Sequence, residues 1–382
     1  MKICAIICEF NPFHNGHKYL IERVRQSGGY DGVLCIMSGH FTQRGDMAIL
    51  DKFTRARHAV PGGADCVIEL PAPFAVAPAP VFAGGAVKLA ASIPDVCALA
   101  FGCEEVLDFK GIARAVAGED GRFKAGLNRG LENGESYAKS YAAALESVCG
   151  TAISSPNNIL ALEYAKAILK YRPDMAIMPV KREGAGYNDD TLGGTYASAS
   201  AIRAHLCEAE IGQFVPPFVA ADLASLSDSD GRWEAIVKYA LCSAPVDRFE
   251  KLYGGGEGLG NRLKGLERLP LEEIIAQATT KRYPSARIRR VLTANALNLT
   301  ATDGNAYLKK AGYLKPLAVR ADMANEFLKA LSVSPFPLVI TGRDVEKLKG
   351  PNAALYASSR FADDVWCAAS DRDIYDCTIV KV

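Results

Sequence analysis

No CxxC pair occurs anywhere in the 382 residues, and no Cys/His spacing matches a structural zinc site, although the chain carries eleven cysteines. An odd count without ligand spacing argues against a disulfide framework and a zinc scaffold. Cys4, Cys8, Cys35, Cys66 and Cys97 fall inside apolar runs, where cysteine acts as a small hydrophobe. Long hydrophobic runs are also missing: the opening one, Ile3 to Cys8, is too short for a membrane span or a secretory signal. A reduced, cytoplasmic protein with no membrane partner is expected. Net charge is nearly absent, +1 from 44 basic and 43 acidic residues. A nucleic-acid partner would therefore need a local basic surface rather than a global field, and no DNA partner is indicated. Internal repeats and low-complexity tracts are absent as well.

What is present is apolar material. Hydrophobic residues make up 49% of the chain against 23% charged, enough for a substantial core and too much for disorder. The length suggests two domains, one large α/β unit over 1–215 and a mainly helical one over 216–382.

The first half alternates strands and helices. Lys2 to Glu9 reads as a buried strand ending at Asn11-Pro12, a helix follows from His17, and Gly32 to Ser38 reads as a second strand. A helix after Asp51, a strand at Cys66 to Leu70, a helix over Val81 to Ala91 and strands at Val96 to Phe101 and Asp174 to Val180 continue the pattern. The expectation is a doubly wound, parallel, five-stranded α/β sheet. Beyond Pro216-Pro217, Trp233, Ile236, Val237, Ala240 and Leu241 mark one helix face, and further helices are expected near Leu271 to Ala278 and Ala286 to Leu297. Leu338 to Thr341 reads as one more strand, and Gly184-Ala185-Gly186 and Gly254-Gly255-Gly256 as glycine-rich loops.

The strongest chemical signal is Phe10-Asn11-Pro12-Phe13-His14-Asn15-Gly16-His17, directly between the first strand and its helix. The crevice beyond the carboxyl ends of parallel strands binds ligands, and a helix N-terminus there offers N–H groups and a positive dipole to phosphate. His14 and His17 can face one phosphate and stabilise charge growing on an α-phosphate as pyrophosphate leaves. The plainer alternative is a helix-capping pair. Ser198-Ala199-Ser200-Ala201-Ile202-Arg203 sets two hydroxyls and an arginine at a helix start, which suits phosphate and equally suits an ordinary N-cap. The stretches from Met37 to Gly45 and Asp51 to Arg55 read as polar and basic groups at the same rim. Gly102 ends the fourth strand, where an adenine or ribose can approach the backbone. Asn157 and Asn158 open a helix, and Lys181 and Arg182 follow the fifth strand, placed to pair with a triphosphate.

HxGH together with SxSxxR resembles the signature of the nucleotidyltransferase superfamily that includes class I aminoacyl-tRNA synthetases. The wider series resembles one family, the tRNA(Met) cytidine acetate ligases. It comprises EFNPFHNGH (9–17), MSGHFTQRGDMAILDKFTRA (37–56), GADCVIELP (63–71), FGCE (101–104), SPNNILALEY (155–164), VKREGAGYND (180–189) and ASASAIR (197–203). TTKRYPSARIRR (279–290) is similar to the family's basic segment. Phe10 stands where the family pattern often has tyrosine. The resemblance implies an enzyme that activates acetate with ATP, Mg²⁺ accompanying the nucleotide, and acetylates the wobble cytidine of elongator tRNA(Met). It implies that His14 and His17 act in adenylation. ATP would be bound by Cys8, Glu9, Phe10, Asn11, Pro12, Phe13, Asn15, Gly16, Gly102, Asn157 or Asn158, Lys181, Arg182, Ser198, Ser200 and Arg203. No protein ligand for a metal is assigned.

Lys281, Arg282, Arg287, Arg289 and Arg290, interrupted by Tyr283, form a cationic segment suited to tRNA phosphate with an aromatic for stacking, or else a solvated helix face. Lys309, Lys310 and Lys315 are weaker candidates. Two rival readings remain at this level: an adenylyltransferase acting on a small phosphate ester, and a tRNA-binding protein without catalysis.

Overall fold

A computed structural model describes residues 1–118, 121–133, 137–150, 153–183, 196–206, 208–226, 231–374 and 379–382. The glycine-rich loop at 184–186 lies outside them. In chain order the elements that build the site are β1 (Ile3–Cys8), α1 (Asn15–Gln26), β2 (Gly32–Ser38), α2 (Lys52–Ala59), β3 (Cys66–Leu70), α3 (Ala79–Ala91), β4 (Val96–Cys103), α4 (Pro156–Tyr171), β5 (Ala176–Lys181) and α5 (Ala199–Ala204). There follow α6 (Arg232–Ser243), α7 (Ser285–Ala296), β6 (Pro316–Val319), α8 (Gly350–Ser370) and β7 (Val380–Lys381).

The strands form one sheet in the order β5-β4-β1-β2-β3-β6-β7. The five strands expected from the sequence make its parallel part, with Ile6 opposite Cys35 and Ala100 on either side, and Gly102 opposite Val180. Their apolar runs have a simple cause, since both faces are covered and alternate residues enter different cores. Ile3, Ala5 and Ile7 pack with Phe82 and Val87 of α3 and Leu162 and Ile168 of α4. Cys4, Ile6 and Cys8 pack on the other side with Ile21 and Val24 of α1 and Ala56 and Ala59 of α2. The sheet is thus doubly wound. Chain order turns back between β1 and β4, and the carboxyl ends of these two strands open the crevice.

Two features differ from expectation. The sheet has seven strands, because β6 pairs antiparallel with β3 and β7 joins β6, so the C-terminal half completes the sheet. β6 is only four residues long and opens with Pro316, too weak a pattern to read as a strand. Conversely, Leu338 to Thr341 forms a single bridge, Leu338 with Leu314. Thr341 then opens a short helix through a capping box with Asp344, which draws the chain off the sheet. The helical region has its own core, where Val237 and Leu241 of α6 meet Phe249, Ile274, Ile288 and Val291. The Gly254-Gly255-Gly256 turn is not a loose connection: Arg287 Nε donates to the Gly254 carbonyl at 2.7 Å.

Candidate active site

The turn after β1 delivers both histidines to the crevice. His14 is the N-cap of α1, and its Nδ1 accepts from Gly16 N–H at 3.1 Å. His17 Nδ1 accepts from His14 N–H at 3.2 Å, closing a reciprocal capping box. The capping reading and the chemical one therefore coexist. With both Nδ1 atoms accepting, the proton of each neutral ring sits on Nε2, the remaining donor. The rings stack with centroids 3.6 Å apart. Burial, then Arg182 and Arg203, push His14 down to about 3, and burial followed by His14 and Arg182 holds His17 well below its ordinary value. Both imidazoles are uncharged at neutral pH.

The amides of α1 are less open than the sequence suggested. Asn15 N–H donates to the Phe214 carbonyl at 2.9 Å, Gly16 N–H is used by His14, and His17 and Lys18 donate to the His14 carbonyl. The capping box and the 213–214 segment satisfy them, so the imidazoles, not free amides, face the cavity. Asn15 Nδ2 reaches the Gln213 carbonyl, making this residue an anchor for the turn.

The cavity, about 210 Å³, is lined by Cys8, Glu9, Phe10, Asn11, His14, Gly16, His17, Gly102, Asn157, Lys181, Arg182, Ser198, Ser200 and Arg203. Residues distant in sequence thus converge on one site. Pro12, Phe13 and Asn158 do not line it. Phe13 packs edge-on to Phe10 beneath the turn, and Phe10 holds a positive φ of 47° there. Burial pushes the Cys8 thiol well above its ordinary value, which makes it an apolar wall rather than a nucleophile.

The two asparagines divide. Asn158 is buried, its Oδ1 accepting from Glu104 N–H at 3.0 Å and its Nδ2 donating to the Glu105 carbonyl at 3.0 Å, so it latches the loop after β4. Asn157 lies on the cavity and donates to Glu104 Oε1 at 2.6 Å. At Gly102 an added Cβ would come within 3.3 Å of Arg182 Cγ, so the glycine leaves the arginine room over the strand end. Ser198 caps α5, accepting from Ala201 N–H at 3.0 Å. Arg203 donates to the Asn11 carbonyl at 2.7 Å and lies 3.4 Å from Ser200 Oγ, tying α5 to the histidine turn.

Other cavity residues carried no recognisable signal. Tyr19 and Leu20 read as an ordinary helix face, yet both line the cavity, and Tyr19 donates to Glu183 Oε1 at 2.8 Å with Tyr196 beside it. Thr42, Gln43 and Arg44, which the sequence did place at this rim, form the wall beyond β2 together with Asp46. Lys52 and Arg55, by contrast, are buried and not at the rim. Lys52 Nζ lies 2.6 Å from both Glu69 and Asp363, and His40 Nδ1 lies 2.8 Å from Asp363. Arg55 donates to the carbonyls of Glu9, Ser38, Gly39 and Leu50, gathering the ends of β1 and β2. Burial lowers it to about 10, which leaves it charged.

In the basic segment Lys281 and Arg282 are exposed. Arg287 pairs with Glu257 at 3.0 Å and Arg289 with Glu272 at 2.7 Å. Arg290 turns inward and donates to the Gln43 carbonyl at 3.1 Å. Tyr283 is buried, flanked by Arg282 and Arg287 and donating to the Glu257 carbonyl, and so is not an open stacking platform. Lys309 and Lys310 are exposed, whereas Lys315 points in toward Glu69 at 3.6 Å. Among the described residues no helix is long and apolar enough to cross a membrane, and no cluster of three or more His, Cys, Asp or Glu is placed to hold a metal.

Neutral N–H donors and arginines around one cavity suit a polyphosphate whose negative charge shifts during reaction. A family model described as HIGH Nucleotidyl Transferase matches residues 1–372. A tRNA(Met) cytidine acetate ligase of Leuconostoc citreum is 34% identical over 356 residues, covering 89% of this chain and 87% of its own. One from Streptococcus uberis is 37% identical over 306 residues, covering 78% and 80%. The crystal structure of Thermotoga maritima TmcAL, apo form I, matches with a TM-score of 0.90 at 25% identity over 100% of both chains. This chain belongs to the HIGH nucleotidyl transferase family and, within it, to the tRNA(Met) cytidine acetate ligases.

Proposed function

We propose that the protein is an ATP-dependent, carbon–nitrogen bond-forming ligase that acetylates the wobble cytidine of elongator tRNA(Met) to N(4)-acetylcytidine. The observation that carries this reading is the stacked pair of neutral imidazoles, each presenting Nε2–H at a cavity flanked by Arg182 and Arg203. In the first step an acetate oxygen attacks the α-phosphorus of ATP, and the bond to pyrophosphate breaks. His14 and His17 donate to oxygens that gain charge, while Arg182, Arg203 and Lys181 hold the departing phosphates. Because the donors are neutral and already oriented, no protonation step precedes the chemistry. In the second step the cytidine N4 amine attacks the acyl carbon, AMP leaves, and the amine loses a proton. Adenylation is what makes acetate an acyl donor.

Asn157 is the better placed asparagine for nucleotide contact, and Gly102 leaves room beside it. Mg²⁺ would accompany ATP and neutralise charge on its phosphates, and no protein ligand is assigned to it. The 1–215 part carries ATP, and exposed cations of the 216–382 part, Lys281 and Arg282 foremost, meet tRNA phosphates. The nine described cysteines are all free, in keeping with a reduced cytoplasm.

Incubation with ATP, Mg²⁺, labelled acetate and unmodified tRNA, without acetyl-CoA, followed by nucleoside mass spectrometry, tests the proposal. Acetylcytidine that depends on ATP and is lost in His14→Ala supports it. A stable nucleotide product formed without tRNA would replace it with an adenylyltransferase.

A further inference from the structure

One wall of the cavity belongs to neither the sheet nor α1. Phe41 and Met47 pair as an antiparallel bridge, and the tight loop between them turns Thr42, Gln43, Arg44 and Asp46 to the cavity. On the cavity side Gln43 N–H donates to Glu9 Oε1 at 2.6 Å, and Asp46 lies 3.7 Å from Arg203. On the far side the loop rests on α7. Arg290 Nη1 donates to the Gln43 carbonyl at 3.1 Å, and buried Thr293 donates through Oγ1 to the Gly45 carbonyl at 2.6 Å. Asp46 is 4.0 Å from Arg289. Gly45 has φ +87°, and a Cβ there would lie 2.5 Å from Arg290 N. Loop and helix main chains are therefore in direct contact, which a side chain would prevent.

We propose that Arg290 and Thr293 are positioning residues of the nucleotide site, holding the 42–46 loop so that its carboxylate and amide meet Arg203 and Glu9 in one fixed arrangement. The inference rests on reading the cavity as the ATP site. Holding a polar loop of this kind costs backbone entropy, and α7 supplies the two hydrogen bonds that offset part of it. Without them Gln43 N–H leaves Glu9, and Asp46 is no longer shared between Arg203 and Arg289. Arg203 then loses the carboxylate that holds its guanidinium in place for the triphosphate. The defect falls on ATP affinity. Arg290 thus backs the loop that forms the site wall, one residue beyond an arginine that faces Glu272 at the surface.

The test uses the full chain and acetate-dependent ATP/pyrophosphate exchange without RNA, with ATP varied and folding checked by thermal melting. Arg290→Gln and the near-isosteric Thr293→Val are each expected to raise KM for ATP on the order of ten-fold, equivalent to one lost hydrogen bond, with kcat within about two-fold. Arg290→Lys, which keeps a donor, is expected to recover most of the KM. A general loss of stability lowers kcat through the active fraction and leaves KM alone, so that outcome overturns the proposal. So does an unchanged exchange KM with weakened tRNA binding, which would make Arg290 an RNA contact. Exchange absent in the wild type removes the ligase reading and this inference with it.

Discussion

The His14 and His17 rings stack 28° from parallel with centroids 3.6 Å apart, and each Nδ1 is held by a main-chain N–H of the same turn. Neither ring can rotate without breaking the start of α1. His14→Ala and His17→Ala are each expected to lower kcat of acetate-dependent pyrophosphate exchange about 10²- to 10³-fold, the range for losing one oriented donor to a developing oxyanion. The double variant is expected to fall short of the product, because each ring orients the other. Exchange kinetics on the three variants checks this.

The same burial sets a pH signature. His14, lowered to about 3 by burial and then by Arg182 and Arg203, stays neutral across the working range, and His17 does likewise. The exchange rate is therefore expected to show no limb at the ordinary histidine value near 6.5. For stability the sign is opposite to that of a paired histidine. Between pH 6.5 and about 3 the unfolded chain binds a proton at His14 that the folded chain refuses, so stability falls as pH falls through that window. His14→Ala is expected to flatten the dependence of Tm on pH there.

Asn157 and Asn158 stand side by side in the sequence and separate in effect. Asn158→Ala leaves the Glu104 N–H and the Glu105 carbonyl without partners, and is expected to cost about 1–3 kcal/mol of stability. Asn157→Ala is expected to change KM for ATP with a smaller loss of stability. Urea denaturation alongside exchange kinetics separates the two, and equal losses of stability would contradict the division.

Much of the site could be read directly because it is local. The HNGH turn, the N-cap at Ser198 and the five parallel strands depend on residues within a few positions, and two buried faces impress a continuous apolar run on each strand. What escaped is carried by partners far along the chain. Lys52 and Arg55 sit in a polar stretch that looks like a solvated rim, and only the partners Glu69 and Asp363, the latter 311 residues later, show Lys52 to be interior. β6 escaped for the same reason, since four residues gain strand character only by pairing with β3. Tyr19 escaped because a cavity wall and an ordinary helix face ask for the same spacing.

The exposed cations answer to salt. Lys281 and Arg282 are the most exposed of these cations, Arg282 lying 3.6 Å from Glu257, while Arg287 and Arg289 hold glutamates more tightly, at 3.0 and 2.7 Å. Replacing Lys281 and Arg282 together by alanine is expected to weaken tRNA binding and to reduce the slope of log K against log salt by about one to two, roughly one phosphate contact per residue. Filter binding across a salt series measures it, and an unchanged slope would place the tRNA elsewhere.

Lys52 offers the sharpest stability test, because it joins α2, β3 and α8 in one buried cluster. Burial works against its charge, yet Asp363 and Glu69 more than offset this and hold the amine above its ordinary value. Asp363 is held low in turn, chiefly by Lys52 against its own burial, with His40 adding to the effect. Lys52→Met removes the central cation and leaves Glu69 only Lys315 at 3.6 Å and Asp363 only His40 at 2.8 Å, and breaking a buried pair typically costs about 3–5 kcal/mol. The expectation is that loss in urea denaturation, with Asp363→Asn milder because it keeps the shape and one acceptor. Trp366 stacks on His40 from α8 and donates to the Ala48 carbonyl at 2.9 Å, so its fluorescence, read in a Trp233→Phe background, reports this contact. If α8 were held mainly by its apolar face, Lys52→Met would leave both the emission and the midpoint unchanged.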